Sequence, residues 1–178
     1  MRVVGGKYKG LRFNPPKNFP SRPTTDYAKE ALFNILEHQL ELDEITVLDL
    51  FAGTGSIGLE FLSRGAKKVI SVDINRSAFL HIRDIKKRLE IDHWEIYQND
   101  VFKAVKKVKD KCNIVFADPP FDLGKIQKIP DLVLGADILA EDGILIVEHG
   151  KQTSFSKHEK FTEVRDYGGV HFSFFKVD

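Results

Sequence analysis

The chain has 178 residues, 42% of them hydrophobic and 30% charged, and a formal net charge of +1. That length predicts one domain with at most a short extension, and that balance excludes a disordered chain. No apolar run approaches the ~20 residues a bilayer needs, no apolar stretch of signal type opens the chain, and Cys112 is the only cysteine, which excludes a disulfide framework. A cytoplasmic protein with no membrane partner is expected.

Residues 1–20 read as a small β-rich extension. Val3, Val4, Leu11 and Phe13 flank Gly5, Gly6 and Gly10, as in a hairpin or curled ribbon. Pro15, Pro16 and Pro20 mark an extended linker, and Pro23 biases Arg22 away from helix. Charge is concentrated here: Arg2, Lys7, Lys9, Arg12, Lys17 and Arg22 precede the first acid, Asp26. Such a cluster attracts phosphate by steering and counterion release. Two further basic stretches, Arg83 to Arg88 and Lys103 to Lys111, read as solvated helix faces. Thr24 or Thr25 can cap the next helix, with Asp26 in its first turn. Ala28, Ala31, Leu32, Ile35 and Leu36 give it an apolar stripe to about residue 40. The chain therefore divides into an extension and linker over 1–23 and a main domain over 24–178, led by a helix over 24–40.

Strands and helices then alternate. Strands are predicted at 45–50, 68–73, 94–97, 113–117 and 143–148, and helices at 56–64, 77–89, 101–108 and 126–139 despite Pro130. Two last strands, near 161–167 and 170–177, flank the hairpin signal Gly168-Gly169. The fold class is α/β: a Rossmann-like, seven-stranded, mostly parallel sheet with an antiparallel C-terminal hairpin, plus the N-terminal extension and helix. Ligands of such sheets bind beyond the carboxyl ends of the strands.

Four motifs fall at strand carboxyl ends. Asp49-Leu-Phe-Ala-Gly53-Thr-Gly55-Ser-Ile-Gly58 follows the first strand and opens a helix. The spacing fits a dinucleotide fingerprint, yet it carries no basic residue, and Asp49 would repel a diphosphate. A carboxylate there suits the ammonium of a methionine moiety, so a cofactor centred on a cation is favoured. Asp73 ends the second strand, where a carboxylate can bind ribose hydroxyls. Asn99-Asp100 follows the third strand; Asp100 can accept from an adenine amine, cap the next helix, or both. Asp118-Pro119-Pro120-Phe121 follows the fourth strand. Asp118 and the Pro119 carbonyl offer two acceptors for the hydrogens of an exocyclic amine, Pro120 stiffens the loop, and Phe121 offers a stacking face. A base in structured nucleic acid must be extruded to reach such a site. Glu148-His149 ends the fifth strand and is either pocket lining or a polar strand end. The histidines show no metal-ligand spacing, so no metal is expected.

These motifs resemble the class I amino methyltransferases. Over nearly the whole chain, the sequence resembles the RsmD-type family of bacterial 16S ribosomal RNA guanine-N2 methyltransferases. The specific part is Arg22-Pro-Thr-Thr-Asp-Tyr-Ala-Lys-Glu-Ala-Leu-Phe-Asn34, joined by Arg2 to Gly10, Val47 to Glu60, Ser63 to Ala66, Val147 to His149 and Tyr167-Gly168. The resemblance implies S-adenosyl-L-methionine as donor, a guanine amine of small-subunit rRNA as acceptor, and a subunit or its assembly intermediate as partner. It implies a cofactor site of Asp49, Phe51, Gly53, Thr54, Gly55, Asp73, Ile74, Asp100 and Val101. Lys7, Lys9, Arg12, Arg22 and Thr24 would contact RNA while the N-terminal segment helps cover the cofactor. The chain departs from the family at Tyr27 and Lys29, where arginines are frequent, at Phe121, where Tyr is commoner, and at Val170, where Thr is common. A monomer is expected. The alternatives are a DNA adenine-N6 or cytosine-N4 methyltransferase, a nicotinamide dehydrogenase, and a non-catalytic RNA-binding factor.

Overall fold

The computed structural model describes residues 1–16, 19, 24–120 and 122–177. Helix α1 (Asp26–Gln39) leads into β1 (Thr46–Leu50), α2 (Ser56–Ser63), β2 (Lys68–Asp73), α3 (Arg76–Arg88) and β3 (Trp94–Gln98). Then follow α4 (Val101–Ala104), β4 (Cys112–Ala117), α5 (Ile129–Gly135), β5 (Leu139–His149), β6 (Phe161–Tyr167) and β7 (Val170–Lys176). Short 3-10 turns at Val105–Lys107 and Ile126–Lys128 adjoin α4 and α5. The seven strands form one sheet in the order β3-β2-β1-β4-β5-β7-β6. Pairs from β3 through β5 are parallel, and β7 is antiparallel to β5 and β6. The order reverses between β1 and β4, which opens the crevice that the fold class predicts.

Side-chain alternation along the strands builds two cores. Val47, Val69, Ile114, Phe116, Ile144, Ile146, Phe172 and Phe174 pack with Leu32, Phe33 and Leu36 of α1, with α2, and with Ile82 and Ile85 of α3. Leu48, Leu50, Ile70, Val72, Val115, Leu145 and Val147 pack on the other face with Val101 and Ala104 of α4 and with Ile129 and Val133 of α5. Asp49, Asp73, Asp118 and Glu148 share the parity of the first set. Four carboxylates on four neighbouring strands therefore project from one face of the sheet.

The structure corrects some sequence expectations. The helix expected over 126–139 is a 3-10 turn and a helix ending at Gly135. Pro130 lacks an N–H and is tolerated only in a first turn, so the helix starts beside it. Asp137 then takes a left-handed conformation, and Leu139 already pairs with Cys112. The helix expected to reach Val108 tightens at Val105 into 3-10 geometry. In residues 1–16 the ladder is a single bridge, Arg2 with Arg12. The ribbon curls over α2 because its N–H groups find partners there: Val4 and Gly5 donate to the Glu60 carboxylate, and Lys7 and Tyr8 donate to Ser63. Glu60 also meets Lys29 Nζ at 3.5 Å and Arg64 Nε at 3.0 Å. Lys29 is 1% exposed and donates further to Ser56 Oγ at 2.9 Å and to the Arg2 carbonyl. A buried lysine thus ties the extension, α1 and α2 together. Among the described residues no helix is long and apolar enough to cross a membrane.

Candidate active site

A cavity opens at the carboxyl ends of β1, β2 and β4. Its wall includes Asp49, Phe51, Ala52, Gly53, Thr54, Asp73, Ile74, Asn75, Phe116, Asp118 and Pro120. It contains three carboxylates and, among the described residues, no lysine, arginine or histidine.

Asp49 is 2% exposed and is held from two sides. The Ser71 hydroxyl donates to its Oδ2 at 3.3 Å, and the Gly58 backbone N–H also donates to it. Ser71 in turn receives the indole N–H of the buried Trp94 at 2.9 Å. A chain of hydrogen bonds across three strands therefore orients Asp49. Gly58 lets the first turn of α2 come this close, since a Cβ there would lie 3.0 Å from both Asp49 Oδ2 and Ser71 Oγ. Burial, opposed by those hydrogen bonds, pushes the Asp49 carboxyl up to about 7. A buried carboxylate without a cation is a receptor for one.

Asp73 works through both oxygens. Oδ2 accepts the Gly53 N–H at 2.8 Å, and Oδ1 accepts the Asn75 N–H at 2.8 Å. These bonds fix the glycine loop against the turn into α3, and each oxygen keeps a lone pair for a sugar hydroxyl. The loop turns sharply: Phe51, Gly53 and Gly55 have φ of 59°, 54° and 73°. For Phe51 that conformation costs on the order of 1–3 kcal/mol, the kind of strain that persists where the surrounding structure enforces it. Gly55 caps α2 while its N–H donates to Ala52 O. Ile74, 67% exposed at the rim, presents an apolar face on which a flat ring can rest.

Asp118 follows β4, with its N–H bonded to Leu50 O at 3.2 Å. Burial first, then the charges of Glu148 and Asp49, push its carboxyl well above the ordinary range. Pro119 is buried beside it and Pro120 is exposed on the wall. Phe121 and Arg22, both singled out from sequence, lie outside the described residues, as do the linker Pro20 and Pro23.

The remaining expected residues fall into two groups. Asp100 caps α4, accepting from Lys103 N–H at 3.1 Å, and neither it nor the buried Val101 forms part of the cavity wall. Lys7, Lys9 and Arg12 are exposed on the curled ribbon. Thr24, expected among RNA contacts, is 9% exposed, lines the cavity and donates to Glu148 Oε2 at 2.8 Å. His149 turns away, its ring bonded to Ser173 and Gly150. Of the departing positions, Tyr27 is exposed and edge-on to Tyr167, whereas Lys29 is the buried clamp described above.

Sequence reasoning missed Phe19, Phe116 and Trp94. Phe19 lies ahead of α1 with its ring 5.9 Å from His81, and closes one side of the cavity. No local pattern marks it. Phe116 could have been found, because it precedes Asp118 by two residues in a strand and so shares its face.

The model of the family described as "Conserved hypothetical protein 95" matches residues 1–176. A "Putative rRNA methyltransferase YlbH" of Bacillus subtilis is 35% identical over 156 residues, covering 85% of this chain and 84% of that protein. The "Ribosomal RNA small subunit methyltransferase D" of Escherichia coli K12 is 30% identical over 148 residues, covering 83% and 74%. Among solved structures, a "Putative methyltransferase yhhF from Escherichia coli" superposes with a TM-score of 0.85 at 26% identity, covering 99% and 97% of the two chains.

Proposed function

The chain belongs to the conserved hypothetical protein 95 family, and from that premise we propose that it transfers a methyl group from S-adenosyl-L-methionine to the N2 amine of a guanine in small-subunit ribosomal RNA. The observation that carries the reading is the cavity wall: Asp49, Asp73 and Asp118 with no basic side chain among its described residues. A diphosphate cofactor would meet three carboxylates there, so the nicotinamide reading is disfavoured. A cofactor with an ammonium, a ribose and a purine finds a partner for each part.

Asp49 would hold the ammonium, Asp73 the ribose hydroxyls, and Ile74 one face of the purine. Phe51, Gly53, Thr54 and Gly55 shape the loop around it, while Asp100 and Val101 open α4 outside the cavity wall and are given no contact with the purine. When bound, the cofactor supplies an electrophilic methyl carbon on a sulfonium sulfur. Asp118 and the Pro119 carbonyl accept the two amine hydrogens, which turns the nitrogen lone pair out of the ring and toward that carbon. Most of the acceleration comes from holding two reactants in line, worth ~7–11 kcal/mol in favourable cases. Asp118 also offsets the positive charge that develops on nitrogen. Residues 1–23 act as the RNA-facing extension of the domain over 24–178. Exposed Lys7, Lys9 and Arg12 meet phosphates there. The relatives' names favour rRNA over a DNA amine. The enzyme works as a cytoplasmic monomer on the small subunit or its assembly intermediate.

The test uses small subunits from cells lacking the protein, incubated with the purified chain and S-adenosylmethionine, then digested for nucleoside mass spectrometry. N2-methylguanosine is expected with the wild type and none with Asp118→Ala, which keeps cofactor affinity. Wild-type turnover in that variant would refute the mechanism, and a methylated adenine or cytosine would refute the substrate.

A further inference from the structure

Asp118 has a neighbour that the reaction above leaves without a role. Ala117 on β4 pairs with Val147 on β5, so Asp118 and Glu148 come next to each other on adjacent parallel strands. Their parity with Phe116 and Ile146 puts both side chains on one face. Neighbouring strands are only ~4.8 Å apart, which brings the two carboxyl groups into electrostatic contact. Glu148 is 4% exposed and accepts the hydroxyl of Thr24, which itself lines the cavity with Asp118. Among the described residues no side chain donates to Asp118.

Two desolvated carboxylates this close resist ionising together, because desolvation and mutual repulsion both favour one proton between them. Thr24 decides where that proton goes. Its hydrogen bond stabilises the ionised form of Glu148 and leaves Asp118 as the better proton acceptor. Burial pushes Glu148 up to about 7 against the pull of Thr24, and burial, then the charges of Glu148 and Asp49, pushes Asp118 up as well. Besides Glu148, the charged group acting on Asp118 is Asp49 on β1, which in turn feels Asp73 at the end of β2. Lys29 of α1 is engaged by Glu60 and Ser56, His149 by Ser173 and Gly150, and His171 of β7 faces Asp166.

Building on the methyl-transfer reading, we propose that Glu148 is a positioning residue: its carboxylate, held by Thr24 beside Asp118, makes Asp118 the acceptor of the proton that the amine loses. As the nitrogen lone pair forms the N–C bond, the C–S bond breaks and its electron pair stays on sulfur. In the form that reacts, present above the pH at which the pair gives up its shared proton, both carboxylates are ionised, and the N–H proton moves to the Asp118 carboxylate. The product state then holds one proton between two carboxylates, the arrangement their repulsion favours, and that proton passes to water on product release.

The experiment is a carboxyl 13C NMR titration of the full chain without ligands, in the wild type, Glu148→Gln and Thr24→Val, with Asp118 assigned through Asp118→Asn. In Glu148→Gln the Asp118 midpoint falls by about one unit, a ~10-fold loss of proton affinity. Thr24→Val keeps both carboxylates and raises the Glu148 midpoint, so it decides the question if Glu148→Gln folds poorly. An unmoved Asp118 midpoint in Glu148→Gln, or an unmoved Glu148 midpoint in Thr24→Val, overturns the proposal. Single-turnover methyl transfer supplies the kinetic arm. The acid limb of the rate shifts to lower pH in Glu148→Gln, so the ratio of its rate to wild type rises by about 10-fold between pH 8 and pH 5.5. A drop by the same factor at every pH marks a merely structural residue and overturns the role. Wild type that methylates no RNA overturns the reaction itself, while the titration still decides the pairing on its own.

Discussion

Replacing Asp49 with Asn should stabilise the free protein and destroy its cofactor site. The carboxyl is 2% exposed and burial raises it from 3.8 to about 7, a difference of about 4 kcal/mol at 1.36 kcal/mol per pKa unit. The folded chain therefore binds this proton more tightly than the unfolded chain does. Stability falls as pH rises from near 4 to near 7, and the full cost is present at pH 8. Asn removes that cost and keeps an oxygen to accept from Ser71 and Gly58. Its amide N–H groups lack a buried acceptor, which returns about 1–3 kcal/mol. The net gain at pH 8 is about 2 kcal/mol, or about 4–8 °C in Tm for a chain of this size. At pH 5 the wild-type side chain is already neutral, and the advantage disappears. Wild type at 100-fold the Kd of S-adenosylmethionine gains about 2.7 kcal/mol, and Asp49→Asn should gain almost nothing. Differential scanning fluorimetry at pH 5 and pH 8, with and without S-adenosylmethionine, measures all four quantities. A variant less stable than wild type at pH 8, or one with an undiminished ligand-induced rise, would refute the reasoning.

Glu60→Ala strips partners from Val4 N–H, Gly5 N–H, Arg64 and the buried Lys29 at once; urea unfolding should show a loss of about 3–5 kcal/mol, and a loss below about 1 kcal/mol would mean that the cluster is not a structural clamp. Lys29→Met should cost less, because Arg64 still neutralises Glu60. Gly55→Ala places a Cβ 2.8 Å from Ile82 Cγ1 at φ +73°; it should weaken both stability and cofactor affinity, and unchanged calorimetric affinity would show that the loop adapts. Cys112 is fully buried and its thiol is pushed up to about 12; alkylating reagents should label it only as the chain unfolds, so rapid labelling of the native protein would contradict this placement.

Local chemistry alone determined much of this protein. Strand and helix alternation, the glycine loop after β1 and the Asp-Pro-Pro segment after β4 are written in runs of a few residues. They encode backbone conformation and side-chain parity directly, and the placing of Asp49, Asp73 and Asp118 at strand ends followed from them. The failures were of two kinds. The end of α5 depended on a left-handed Asp137 and an early pairing of Leu139, and neither leaves a strong composition signal. The partners across the sheet depended on strand order and register. Thr24 meets Glu148 across 124 positions, Lys29 meets Glu60 and Ser56 under the N-terminal ribbon, and Trp94 orients Asp49 through Ser71. A sequence states which groups will seek a hydrogen bond or a counter-charge. Only the tertiary structure brings a particular donor to a particular acceptor, because that choice depends on which strands become neighbours and on how far each slides along the next.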